Sequence, residues 1–130
     1  MNEQDSGHVE IYALRLKEHA VRDIESAYVR FADLVSAEVA DKWRDGIQET
    51  IAGLAYNPRR YPRAPENFQR EVRQIVYRRA GSKVAYRILF IVTGESEDSS
   101  DAPTVTILHV RHASSRPVTR TQARQIETEE

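Results

Sequence analysis

The chain has 130 residues, 19 Lys and Arg against 20 Asp and Glu, a formal net charge of -1 and no cysteine. A chain of this length builds one domain around one core, and the lack of thiols excludes disulfides, thiolate metal sites and cysteine catalysis. The longest apolar run, Ile88 to Val92, is far too short to cross a membrane, and the polar, acidic start from Met1 to Gly7 lacks the pattern of a signal peptide, so a soluble cytoplasmic protein is expected.

Residues 1–8 read as a flexible leader. After them Tyr12, Leu14 and Leu16 alternate with Ala13, Arg15 and Lys17, the period of a strand with one buried face. From Glu18 the period changes: Ala20, Ile24, Ala27, Phe31 and Leu34 fall at three- and four-residue steps, as on an amphipathic helix. Ser36 can cap a second helix with the stripe Val39, Trp43, Ile47, Ile51 and Leu54, and so short a link predicts an antiparallel helical hairpin. Trp43 belongs to its core. Asn57-Pro58 stops the second helix, and Tyr61 to Pro65 continues as an extended connector. Three strands follow, at about Glu71 to Tyr77, Ala85 to Val92 and Thr104 to Arg111, rich in β-branched and aromatic residues. The turn Ala80 to Lys83 joins the first two as a hairpin. Thr93 to Pro103, with Glu95, Glu97, Asp98 and Asp101, reads as a solvated, mobile loop. The last segment, 117–130, reads as a polar C-terminal tail or a frayed helix.

Charge is unevenly distributed. From Arg59 to Arg87 nine Lys or Arg oppose only Glu66 and Glu71, a local balance of +7. Such a face attracts polyanions or acidic protein surfaces without distinguishing between them. Arg87 opens an apolar strand and must point to one sheet face, where it meets an acid or a ligand. Arg73 is expected on the same surface. Arg78 and Arg79 serve either a partner or a soluble hairpin turn. Tyr61, Phe68 and Tyr77 interleave with arginines, an arrangement that suits stacking on RNA but is read here as packing of the connector. His8 and His19 have no sequence neighbours that suggest a metal site, and none is expected.

In order and length the residues resemble the RelE/ParE superfamily of type II toxin-antitoxin toxins, over about Val9 to Pro117. The resemblance is carried by Tyr12-Ala13-Leu14, the helix start Ala20 to Glu25, the connector Leu54 to Pro65 with Asn57-Pro58, Arg73 followed by Tyr86-Arg87, and the closing Val110-Arg111-His112. It implies an α+β fold of order β-α-α-β-β-β, with an N-terminal strand and a helical hairpin packed on a mainly antiparallel sheet, as a single domain over residues 9–116. It implies a growth-inhibiting toxin neutralised by a cognate antitoxin in a hetero-oligomer, with no cofactor and no membrane partner.

The superfamily holds two activities. RelE-like members cleave mRNA on the ribosome, whereas ParE-like members poison DNA gyrase. Metal-free RNA cleavage needs cations on the phosphate and groups that move protons. Arg73 and Arg87 could bind phosphate, but the carboxy-terminal tyrosine of RelE-like enzymes has no counterpart after Tyr86, which leaves His109 or His112 to transfer protons. The hairpin and the closing Arg111-His112 are more similar to ParE. The expectation is therefore a non-catalytic gyrase poison with a target- or antitoxin-binding surface of Arg73, Arg78, Arg79, Arg87, Arg111 and His112. The alternatives are a ribosome-dependent endoribonuclease in which Arg73 and Arg87 bind phosphate and His109 or His112 moves protons, and a non-toxic antitoxin- or nucleic-acid-binding module. An acidic, amphipathic antitoxin tail would match the basic Arg59 to Arg87 face.

Overall fold

The computed structural model of the chain describes residues 10–95 and 102–128. The 1–8 leader and most of the acidic part of the Thr93 to Pro103 loop lie outside them. The elements are β1 (Ala13–Leu16), α1 (Glu18–Leu34), α2 (Ala37–Gly53), a 3-10 turn (Pro58–Arg60), β2 (Arg73–Arg78), β3 (Ala85–Thr93), β4 (Thr104–His112) and α3 (Arg120–Thr128).

The helical hairpin forms where the periodicity places it. Ser36 is the N-cap of α2, its hydroxyl accepting the Val39 N–H at 3.1 Å. At the far end Asn57 adopts a left-handed conformation, φ 50°, before Pro58 opens the 3-10 turn. Trp43, Ile47, Ile51 and Leu54 are buried against Ala20, Ile24 and Ala27 of α1 and against Tyr86, Ile88, Phe90, Val105, Ile107 and Val110 of the sheet. Each large side chain removed from water there contributes about 1.5–3 kcal/mol.

The sheet order is β1-β4-β3-β2. β2, β3 and β4 are antiparallel neighbours, while β1 lies parallel to β4, pairing Ala13–Leu16 with Thr104–Ile107. The register slips between Leu89 and Phe90, which face His109 and Ile107, so Leu108 is the extra residue of a bulge. Because β1 stops opposite Ile107, β4 has an open edge beyond it, and there the Asp23 carboxylate of α1 accepts the Val110 N–H at 3.0 Å. A helix side chain thus replaces the missing strand partner.

The second sheet face is covered as well. Leu89, Ile91 and Leu108 pack with Ala64, Phe68 and Val72 of the connector and with Val118, Ala123 and Ile126 of the last segment. Over 120–128 that segment is a docked helix rather than a solvated tail, because Ala123 and Ile126, three residues apart, bury on one side of it. The molecule therefore has three layers, with the sheet in the middle.

Candidate functional site

The β2–β3 register decides the fate of the arginines. Arg73 pairs with Phe90 and Arg87 with Val76, so Arg73 shares the hairpin-side face with Phe90, and Arg87 the opposite face with Leu89. The expectation of a common surface fails on this alternation. Arg87 is nearly buried, and its two terminal nitrogens donate to the two Glu66 oxygens, both at 2.7 Å, while its Nε donates to Gln74 at 2.8 Å. This two-pronged pair holds the Glu66 carboxyl below its ordinary range, against the opposing effect of burial. Arg87 therefore spends its donors inside the protein.

Arg73 is also committed. It donates to the carbonyls of Arg59 and Tyr61 and to the Glu71 carboxylate. Glu71 additionally meets Arg59 and Arg63, and its three arginine neighbours, Arg73 first, lower its pKa. Arg59 reaches Glu95, which also accepts the Tyr12 hydroxyl at 2.6 Å, so that the Tyr12 pKa is pushed up to about 12. The +7 segment consequently does not form one cationic face. Four of its arginines, Arg59, Arg63, Arg73 and Arg87, are paired to carboxylates, while Arg78 and Lys83 are exposed at the hairpin and Arg79 donates to the neighbouring Ala80 carbonyl.

Arg111 and His112 do come together with other groups. They line a cleft of about 370 Å³ with Asp23, Ser26, Ala27 and Arg30 of α1, Tyr86 of β3, and Ser115. The His112 ring stands edge-on to Tyr86, centroids 5.3 Å apart. Its Nδ1 accepts the Ser114 N–H at 3.0 Å, which leaves the proton of the neutral ring on Nε2. Arg111 donates to the Arg116 carbonyl at 3.0 Å. Burial raises the Tyr86 pKa, with Arg30 opposing it, so the phenol stays protonated at neutral pH. Sequence reasoning missed Asp23, Ser26 and Arg30 as members of this cleft. Their spacing of three and four residues, one face of α1, was the available signal.

The four ribonuclease candidates do not share a site. His112 lines the cleft just described, whereas His109 lines another cavity, of about 220 Å³, with His19, Arg111, Gln122, Gln125 and Ile126. Arg73 and Arg87 line neither.

A third, apolar groove of about 450 Å³ runs between β1 and the hairpin, lined by Leu14, Leu16, Val21, Ile24 and Ile51 with Glu25, Arg44 and Gln48 at its polar margin. A family model described as "ParE toxin of type II toxin-antitoxin system, parDE" matches residues 14–117, most of the chain. The chain belongs to the ParE toxin family. Among solved structures it is similar to a chain described as "Chromosomal ParDE TA system from P. aeruginosa", with a TM-score of 0.59 and 19% identity over 78% of this chain and 96% of that one. At that identity the likeness is one of fold. No curated protein sequence matches the chain significantly. The ParE fold accounts for the strand, hairpin and antiparallel sheet, and membership of a parDE system implies an antitoxin partner. Among the described residues no helix is long and apolar enough to cross a membrane.

Proposed function

We propose that this ParE family member inhibits growth by binding DNA gyrase, without catalysis, and that a cognate antitoxin silences it. The observation that carries the reading is the dispersal of Arg73, Arg87, His109 and His112. Phosphate stabilisation and proton transfer must act within a few ångströms of one scissile bond, and here both arginines are held by carboxylates and neither lines the cavity of His109 or that of His112. Binding a large enzyme requires only a surface. The cleft of Arg30, Tyr86, Arg111 and His112 supplies cations and an aromatic for that purpose.

Antitoxin capture is assigned to the apolar groove beside β1 rather than to the Arg59 to Arg87 segment, whose cations are divided between the two sheet faces and of which Arg59, Arg63, Arg73 and Arg87 are already held by carboxylates. Leu14 and Val21 are large, apolar and well exposed there, and β1 is an edge strand able to accept another strand.

The test is an induced-expression pulse in a bacterial host that follows labelled thymidine and labelled methionine over the first minutes, paired with a supercoiling assay on purified gyrase. Early loss of thymidine incorporation with DNA breaks is expected, and Arg111→Ala should weaken it while leaving the circular dichroism spectrum intact. Loss of methionine incorporation alone would transfer the assignment to the ribosome-dependent endoribonuclease. No effect on either label would leave a non-toxic binding module.

A further inference from the structure

The bulge in β4 and the first turns of α1 place two histidines around one carboxylate. His19 and Asp23 stand one helical turn apart, with His19 Nε2 3.6 Å from Asp23 Oδ1, and His109 Nδ1 lies 3.3 Å from Asp23 Oδ2. The two imidazole centroids are 3.9 Å apart and tilted by 37°. One ligand atom from each residue lies within 4.8 Å of the other two. We propose that His19, Asp23 and His109 form a binding site for a divalent transition metal of the zinc class.

The geometry suits the ion. Zinc sits about 2.0–2.2 Å from imidazole nitrogen and carboxylate oxygen, so tetrahedral ligands stand on the order of 3.3–3.5 Å from one another. The two carboxylate-to-histidine distances, one to each Asp23 oxygen, lie close to that range, and the three ligand atoms that lie within 4.8 Å of one another have a small adjustment to make to close around an ion. Two nitrogens and one oxygen match the donor preference of zinc, nickel and cobalt rather than of magnesium or calcium. Part of the site is already fixed. Asp23 Oδ2 is oriented by the Val110 N–H, and His109 is 6% exposed and held on the strand by the bulge. Such outer contacts orient metal ligands. His19 and His109 line a cavity that Arg111 of β4 and Gln122 and Gln125 of α3 also border. Arg111 is the one arginine or lysine in that lining, so a further ligand entering from the cavity would be an anion or water.

The site also has a mechanical consequence. It ties the start of α1 to the open edge of β4, a junction otherwise made through the Asp23 carboxylate and the packing of α1 on the sheet. Metal binding to the folded state alone raises stability by mass action, so the ion would act as a staple at this junction.

The experiment is calorimetric titration of the full chain, stripped with chelator, with zinc chloride, followed by cobalt(II) titration read by visible absorption. One equivalent should bind with micromolar or tighter affinity, cobalt should give the intense bands of a four-coordinate site, and the melting temperature should rise reversibly with zinc. His19→Ala, a change at a half-exposed helix position, should weaken binding by at least about tenfold while the apo protein still melts cooperatively. His109→Gln and Asp23→Asn should do the same, with the helix variant as the control should either fail to fold. Absence of a saturable one-to-one titration, or an unchanged titration in His19→Ala, overturns the proposal.

Discussion

At the residue scale, the Arg87–Glu66 pair decides how mutations in the basic segment should be read. Glu66 is almost wholly buried and accepts both Arg87 prongs and the Val118 N–H. Removing one partner leaves a buried charge alone, which costs about 3–5 kcal/mol. Arg87→Ala should therefore abolish function by unfolding the chain, and its loss of activity should track its loss of cooperative melting. Arg111→Ala should keep the fold. The pair also sets an acid limit. The folded-state pKa of Glu66 lies below its unfolded value, so its stabilisation is present above the unfolded carboxyl pKa, about 4.3, and is lost as pH falls through the lower folded value. In denaturant titrations from pH 7 to pH 3, the stability gap between the native chain and Glu66→Gln should be widest near neutrality and shrink in acid. A gap that stays constant to pH 3 would contradict this.

At the element scale, Gly46 shows how α2 is seated on the sheet. A Cβ at this position would fall 1.9 Å from the Tyr77 hydroxyl oxygen and 2.6 Å from the ring carbon that carries it. Glycine in a helix interior costs about 1 kcal/mol relative to alanine, and here it makes room for an aromatic ring of β2. Gly46→Ala should destabilise the fold by about 1–3 kcal/mol through that overlap, despite its better helix propensity. In a Tyr77→Ala background the same change should become neutral or stabilising, a coupling that a chemical-denaturation double-mutant cycle measures. This contact also marks the limit of sequence reading. The hairpin was legible because its stripes and the Ser36 cap are local signals, and β3 and β4 because their β-branched runs are long. The parallel pairing of β1 with β4 and the seating of Tyr77 on Gly46 join distant segments and leave no local trace. The same reason hid the cleft: Arg111 and His112 could be picked out at the end of a strand, but Asp23, Ser26 and Arg30 become their neighbours only when α1 crosses the sheet. Alternation alone did place Arg73 and Arg87 on opposite faces, once the register was known. It could not reveal that Glu66, from the Pro-rich connector, would be waiting for Arg87.

At the scale of the whole molecule, the last segment closes the second face of the sheet and thereby restricts where partners can bind. Val118, Ala123 and Ile126 cover Leu89, Ile91 and Leu108, while the Val118 N–H reaches Glu66 at 3.2 Å and the Glu127 carboxylate accepts the Arg70 N–H at 2.6 Å. Few bulky side chains make this contact, so its composition looks polar even though its one buried stripe is apolar. Were the segment dispensable, cutting the chain after Arg116 would change little. Instead the cut would expose three large apolar side chains on the two central strands and remove a hydrogen bond to the buried Glu66 pair. Ile126→Ala alone should cost about 2–4 kcal/mol, and the truncated chain should melt without a sharp transition and bind a hydrophobic dye that the full chain excludes. The prediction separates two views of the molecule. If the truncated chain melts cooperatively at the native temperature, the second face can open to a partner; if it does not, an antitoxin or target must approach the hairpin side and the open edges, where the β1 groove and the Arg111–His112 cleft lie.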